Sequence, residues 1–422
     1  MAITLVSVPE EHTPAYNEQW IVASGTNSAQ TNFKYVCETY INDVLVSTEK
    51  YPPRPDNSLL YFNPQRIVEA YVETDYNFDI DRIEKSTSAV KKVTVAVNEE
   101  YGSPVSGFTG TSGDYYVWNA SYTAHDFTSY TYTSTSDIKA LTLAPASVTY
   151  STSGHDIIHA DTKYLLKSFY VPFGNSVIGG LMAYQLRVLA YASNGNLIQD
   201  SYIYNIYNSS ASIPQRYLIT VNCSPYGLNL IKTNNPAQIL SQTNPALNVI
   251  PATTAYYIYT WYNSTPNINS LDYSVQLDDF CSNYDRYVVH FLNSLGNMDS
   301  FTFNLVSDKT STIEKKDYRN TPYYLNTANK LVYRNSEGDR KNYNTIITNK
   351  IKLNSDWVSD TVYEWLKDLF TSPLIKLEDA NGNLYSVKCT DKDYKERKRV
   401  VDKIFNVTIE LEFDYQDIRQ RG

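Results

Sequence analysis

A mainly β chain of several sandwich-like domains, closing in a helix-on-sheet unit, is what the sequence predicts, and three observations carry it. Apolar residues alternate with period two in many short runs, as in Val93, Val95 and Val97, the pattern of a strand with one buried face. Asn- or Gly-containing turns separate such runs at 42–43, 194–195, 296 and 381–382, as tight hairpins that need positive φ require. One stretch has a sustained helical period instead. In 355–373, Val362, Trp365, Leu366 and Leu369 fall at i, i+3, i+4 and i+7, a single apolar stripe.

Taken in order, 19–23 and 33–40 read as strands, the second with Phe33, Tyr35 and Cys37 on one face. Ile41-Asn42-Asp43-Val44 is a hairpin turn, and Pro52, Pro53 and Pro55 then stiffen an extended link that no sheet interior accepts. Asn63-Pro64 opens a short helix, with Asn capping the first turn and Pro at its first position. This predicts an immunoglobulin-like β-sandwich with one short helix over residues 1–88. Residues 89–306 form a second expected β-sandwich domain, interrupted by a long Ser/Thr/Tyr-rich insertion at 103–160. Its strands fall at 164–171, 185–192, 217–222 and 255–262, with 233–251 as loop. The run 286–305 reads as two strands around a Gly-containing loop, the first buried on both faces. Residues 307–422 form a β-domain with a single packed helix at about 359–370, capped by Ser359 and stopped before Pro373. Its expected core is Val362, Trp365, Leu366 and Leu369, with Phe291, Phe301 and Phe303 on the preceding hairpin.

Composition narrows function. A net charge of -9 argues against a dedicated nucleic-acid binder, which would carry a basic face. Charged residues are 19% of the chain while Tyr numbers 39, so large amphipathic rings are available for protein or sugar contacts. Tyr115, Tyr116, Tyr130 and Tyr132 are the candidate contact surface. Cys37, Cys223, Cys281 and Cys389 lie far apart with no CxxC pair, which fits free thiols in a reducing compartment. The N-terminus lacks a signal-peptide pattern and no apolar run is long enough to span a membrane. The expected site of synthesis and folding is a cytoplasm.

No constellation reads as catalytic. His155 and His159 stand at i, i+4, a zinc spacing only on a helix, and Asp156 occupies the position where a metalloprotease needs Glu. Asp75, Asn77, Asp79 and Asp81 imitate the start of a calcium loop, but Ile80 replaces its turn glycine and Ser86 its terminal Glu. Asp379, Asn381 and Asn383 fail the same test and read as a hairpin turn. Glu99 and Glu100 are adjacent on a strand, so they point to opposite faces and cannot flank one glycosidic bond. The basic run 395–399, with Arg419 and Arg421, reads as a solvated patch or a contact for an acidic subunit. No nucleophile elbow, phosphate loop or dinucleotide fingerprint occurs. No cofactor and no metal are expected.

Five segments, FKYVCETYINDVL, YFNPQRIVEAY, VAVNEEYGSPV, RYVVHFLNSLGNMDSFTF and WVSDTVYEWLKDLFTSP, occur in this order along the chain. Together they resemble the virion structural proteins, of tail or baseplate type, of tailed bacteriophages infecting Bacteroidota. Leu292-Asn293-x-x-Gly296, Asp299-x-Phe301-x-Phe303 and the Trp365 helix before Ser372-Pro373 carry the likeness. The resemblance implies a built-in, non-enzymatic subunit of the virion, in the tail, baseplate or fibre-attachment region. It implies contacts with other virion proteins, while low charge and abundant Tyr lead to an expected homo-oligomer or ring, and the net charge and the lack of a spanning run to no contact with nucleic acid or membrane. It supplies no catalytic residues. The alternatives are a receptor- or glycan-binding adhesin that contacts a host surface glycan, and a polysaccharide hydrolase.

Overall fold

The computed structural model describes the chain except for residues 1–2, 74–75, 79–80, 87, 103–109, 122–138, 143, 148, 150, 153, 172–183, 205–216, 264–270, 279–283, 337, 392–403 and 420–422. The architecture is mainly β and multi-sheet, with a small helical element near the C-terminus. It divides into two compact units: Met1–Asp279 with Leu292–Asp299, and Phe280–Phe291 with Ser300–Gly422.

The first unit begins with a three-stranded sheet, ordered Ile3–Ser7, Ile21–Gly25, Leu60–Phe62. A five-stranded sheet follows, ordered His12–Pro14, Gly110–Trp118, Val90–Glu100, Lys34–Ile41, Val44–Tyr51. Ile21, Ala23 and Phe62 of the one share a core with Phe33, Tyr35, Cys37, Val95 and Val97, which lie on or beside the other. The face that carries Phe33, Tyr35 and Cys37 packs into this core, and Val36 on the opposite face is buried as well. Asn42 and Asp43 adopt φ of 50° and 66°, the left-handed pair that a two-residue hairpin demands. Asn63 Oδ1 accepts from the backbone N–H of Gln65 and of Gln19, just ahead of the short helix α1, Gln65–Val68, whose N-cap is Pro64 and not the expected Asn63. Strand Val90–Glu100 pairs with Lys34–Ile41 along its length. One sheet thus runs across residues 88–89, where the sequence reading divides domains.

A four-stranded sheet (Lys139–Ala140, Leu166–Val171, Tyr217–Asn222, Glu84–Ser86) and a six-stranded one complete this unit. The six-stranded order is Gly154–Ile158, Tyr273–Leu277, Tyr256–Asn263, Tyr184–Tyr191, Leu197–Tyr204, Ile239–Gln242. Their shared core holds Phe169, Ile219, Leu186, Tyr257 and Trp261, and helix α2, Pro225–Asn234, adds Leu228 and Ile231. The sequence reading missed α2, although Ser224 caps it, accepting from Gly227 N–H, and Pro225 begins it.

The second unit is built on a seven-stranded antiparallel sheet, ordered Met298–Phe303, Tyr287–Leu292, Ile375–Glu378, Leu384–Cys389, Ile404–Arg419, Arg340–Ser359, Asp308–Arg319. The turn of its first hairpin, Leu292–Asp299, is counted with the first unit. The helical stripe is realised as two short helices, α3 Asp360–Trp365 and α4 Lys367–Thr371, rather than one. Ser359 caps α3 by accepting from Val362 N–H. Between them Leu366 takes ψ of -7°, and Leu369 N–H donates to the Leu366 carbonyl three residues back, a tightened 3₁₀-type turn. Trp365, Leu366 and Leu369 are buried and Val362 is half-buried. The Trp365 ring lies 5.7 Å from Phe291 and 6.2 Å from Phe301. Phe291 and Phe303 are fully buried, and Phe301 is half-buried.

Replacing Trp365 by Ala should therefore lower the stability of this unit by about 3–5 kcal/mol, because the space between two aromatic rings cannot collapse. Urea denaturation measures it, and a loss under about 1 kcal/mol would mean that the ring is not part of the core.

A second expectation concerns alkali. Burial pushes the Cys37 thiol and the Tyr217 phenol each up to about 12, and Tyr257 and Tyr259 well above their ordinary range. The unfolded chain releases these protons near the ordinary 9.0 for Cys and 10.0 for Tyr. Between those values the unfolded state binds fewer protons, so stability is full below about pH 9 and falls as pH rises toward 12. Denaturation midpoints measured on both sides of this window should drop on the alkaline side; a flat profile would contradict the buried placement.

Candidate functional site

Lysine within the strand Leu166–Val171 is the first feature to explain, because it is wholly buried. Lys167 has no exposure, and its Nζ lies 3.0 Å from Asp156 Oδ2 and 3.3 Å from Asp299 Oδ1. Thr142 Oγ1 donates to Asp299 Oδ1 at 2.5 Å, and Asn293 Nδ2 donates to Oδ2 at 2.8 Å. Burial pulls the ammonium down, but the two carboxylates hold it above the ordinary lysine range. Burial pushes Asp156 up, further than the attraction of Lys167 recovers. Among the described residues the charged groups of this cluster are paired with one another, so it reads as structural.

The second cluster has the connectivity of a hydrolytic triad. His290 Nδ1 lies 2.8 Å from Ser300 Oγ, and its Nε2 lies 3.1 Å from Glu378 Oε2. Ser300 is 4% exposed and the other two 1%, and all three sit on paired strands of one sheet. All three side chains are buried, which leaves a substrate carbonyl no open path to Ser300, so the arrangement reads as core hydrogen bonding.

The metal-like sequences fare differently from one another. His155 lies on the strand Gly154–Ile158, where its Nδ1 is 2.8 Å from Ser274 Oγ. A zinc ion cannot bridge His155 and His159, because four residues of extended chain separate them by about 13 Å. Asp156, between them, turns inward to Lys167. Asp75 and Asp79 lie outside the described residues, while Asp81 accepts from Asn234 Nδ2 at 3.1 Å. Among the described residues no group of three His, Cys, Asp or Glu could hold a metal. Glu99 is buried and accepts from Asn27 Nδ2, whereas Glu100 pairs with Lys50, so the two do face apart. The basic run 395–399 and Arg421 lie outside the described residues.

Two of the four tyrosines named for contact, Tyr130 and Tyr132, also lie outside them. Tyr115 is 2% exposed, and its hydroxyl donates to Gln19 Oε1. It shares the inward face of Gly110–Trp118 with Val117 and belongs to the core. Tyr116, on the other face, is half-buried beside His12. Among the described residues, exposed aromatic rings are more numerous in the second unit.

There, three long strands continue past the core. Asp308–Arg319 pairs with Arg340–Ser359, which pairs with Ile404–Arg419. Every residue of Asp308–Arg319 is exposed, as are Tyr343, Tyr415 and Ile418 on its neighbours. Between the first two strands a small hairpin, Tyr323–Leu325 with Leu331–Tyr333, exposes Tyr323, Tyr324, Leu325, Leu331 and Tyr333. At the base of the three strands lies an open groove of about 420 Å³, lined by Tyr287, Lys309, Asn349, Asp379, Tyr385 and Tyr415 among others. Burial pushes Asp379 up, but hydrogen bonds from Asn383, Asn381 and Tyr385 outweigh it and hold the carboxyl below its usual range. Its lone pairs are spent on its own turn, so it is a poor candidate for acid–base work. The groove offers rings and amides for binding.

Removing the buried cation tests the reading of the first cluster. Lys167→Met should cost about 3–5 kcal/mol, because two buried carboxylates are left facing one another. Adding Asp156→Asn and Asp299→Asn should recover part of that loss in urea denaturation. No loss from Lys167→Met would mean that the cluster is solvated.

No family model matches the chain, and no curated protein matches it. Among solved structures, the crystal structure of a protein described as membrane anchored, from Corynebacterium diphtheriae, is similar at 10% identity with a TM-score of 0.16. The match covers 67% of this chain and 60% of that one, and at this score it carries no argument about fold or function. Among the described residues no helix is long and apolar enough to cross a membrane.

Proposed function

We propose that this chain is a non-enzymatic structural subunit of a tailed-phage virion, in the tail, baseplate or fibre-attachment region. It acts through contacts with its own copies and with other virion proteins. The observation that carries the reading is the strand Asp308–Arg319, exposed along its whole length, with the apolar hairpin that follows it. A thin sheet without a buried face contributes little to the stability of its own chain. Exposed Tyr and Leu at such an extension are the composition of a surface that a partner covers. The order of segments that resembles phage virion proteins supports the same reading. Within it, the paired sheets around Phe33, Tyr35 and Phe62 serve as an immunoglobulin-like sandwich, a reading supported by their common core.

The groove beside Tyr287 and Tyr415 supports a second reading, a virion adhesin for host surface glycan, since sugars bind against aromatic faces flanked by amides. The two separate on the isolated protein. A built-in subunit self-associates and ignores cell-envelope polysaccharide; an adhesin binds it and loses binding on Tyr287→Ala or Tyr415→Ala.

Purified full-length protein should self-associate in sedimentation velocity, and inside a particle each copy should bury well over about 2,000 Å². A chain that stays monomeric at every concentration and sits as a peripheral monomer in the particle would overturn the proposal, as would cleavage of polysaccharide.

A further inference from the structure

Among the described residues, strand Asp308–Arg319 is the outermost strand of its sheet, so one side of it presents backbone N–H and C=O groups with no described strand against them. Such an edge is a template for another strand unless charges or bulges block it. The edge reads Asp308, Lys309, Thr310, Ser311, Thr312, Ile313, Glu314, Lys315, Lys316, Asp317, Tyr318, Arg319. Charges are dense, but their order is not arbitrary.

Consider the strand paired antiparallel with the same strand of a second copy. Opposed residues must both turn their N–H and C=O toward the shared edge, or both away from it, so the two-fold axis passes through a residue. Axes at Glu314, Lys315, Lys316 or Asp317 set that charged residue against itself. An axis at Thr312 opposes Lys309 to Lys315, and one at Ser311 opposes Asp308 to Glu314. An axis at Ile313 opposes no like charges. It sets Lys309 against Asp317 twice, Ser311 against Lys315 twice and Thr312 against Glu314 twice, with Ile313 against itself. Residues Asp308 to Tyr318 all find partners. Opposite charges directly across an antiparallel pair stabilise it and like charges destabilise it, so of the registers with substantial overlap this one alone is permitted.

The same register assembles an apolar row. Ile313 is 57% exposed and lies directly opposite Ile347 of the neighbouring strand. Across the axis the order becomes Ile347, Ile313, Ile313, Ile347 on one face, covering the most exposed apolar side chain of the edge. Lys309 and Asp317 are on that face too. At present Lys309 Nζ lies 5.6 Å from the centre of the Tyr287 ring, and Asp317 accepts from Asn342 Nδ2 at 3.2 Å. Both side chains are at the surface and can turn outward.

We propose that this edge is a self-recognition site, joining two copies antiparallel with Ile313 on the two-fold axis. The inference rests on the assembly role proposed above and names one contact of that assembly. A two-fold contact of this kind is isologous, the same patch on both copies.

The test uses the full-length chain in sedimentation and in oxidative cross-linking. Ile313→Asp places like charges on the axis and should weaken self-association by at least about tenfold, while its exposed position leaves the melting temperature unchanged. Lys309→Asp and Asp317→Lys should each weaken it, and the double swap should restore it. An Ile313→Cys variant should cross-link to itself under mild oxidation well above the wild-type background, and Glu314→Cys should not. Oligomers that persist in Ile313→Asp, a double swap that does not rescue, or equal cross-linking at both positions would overturn the register while leaving the assembly role standing. A wild-type chain that is monomeric throughout would overturn both.

Discussion

Among the described residues of the first unit, the fully buried ammonium of Lys167 is the charge on which the most depends. Taking an ammonium out of water costs several kcal/mol even after relaxation, and the attraction of one carboxylate does not reliably repay it. Lys167 is given two, Asp156 from the edge strand of the six-stranded sheet and Asp299 from the segment Leu292–Asp299. Asp299 is in turn fixed by Thr142 and Asn293. Asn293 also accepts from the backbone N–H of Leu295 and Asn297, and Asn297 Oδ1 accepts from Ser168 N–H, beside the lysine. At the crest, Gly296 takes φ of 82°, and a Cβ there would lie 2.0 Å from the Asn119 carbonyl oxygen. No other residue fits. The Tyr76 hydroxyl and the Trp118 indole N–H donate to the carbonyls of Gly296 and Leu295. A charge that must be neutralised thus dictates the conformation of a segment far from it in sequence.

This explains which parts of the sequence could be read. Leu292-Asn293-x-x-Gly296 and Asp299 stand out as a motif because each residue is bound to a special backbone state or a fixed partner. The other half of the contact gave a weaker signal. Lys167 sits in the run Leu165, Leu166, Lys167, Ser168, Phe169, where both faces are apolar, and a lysine there must be paired. What no local pattern contains is the partner: Asp156 stands between His155 and His159 in sequence, and the strand turns it away from them. Local signals did well where the backbone itself is special, as at Asn42, Asp43, Gly195 and Gly382, all with positive φ. Ser359 announces its helix start through its side chain, which accepts from Val362 N–H. Helix α2 shows a signal present but unread, with a capping Ser and a first-position Pro hidden among asparagines.

Domain limits and surfaces were harder, because both depend on long-range pairing. Nothing near residue 88 reveals that Val90–Glu100 hydrogen-bonds back to Lys34–Ile41. Tyrosine misleads in a related way. Its ring suits a core and its hydroxyl suits a surface, so Tyr115 and Tyr343 look alike in sequence. The first is buried with its hydroxyl on Gln19, and the second is exposed. Only strand register, which decides the face, separates them.

The two units use charge in opposite ways. Within the first, one cation and two anions are dry, hydrogen-bonded and committed to a single geometry, so they specify a core. On the outer strand of the second, the charges of Lys309, Glu314, Lys315, Lys316 and Asp317 are wet, and each pair is worth little. Their effect lies in what they forbid. A bare edge with the same length and exposed Ile313 would accept strands in any register, which is the route to open-ended aggregation. Alternating charge raises the free energy of most registers by small amounts that add along the strand, whereas one register escapes the penalty. Specificity at an exposed sheet edge then comes from repulsion between wrong alignments, and the attraction can remain as modest as one isoleucine row and a pair of surface ion pairs.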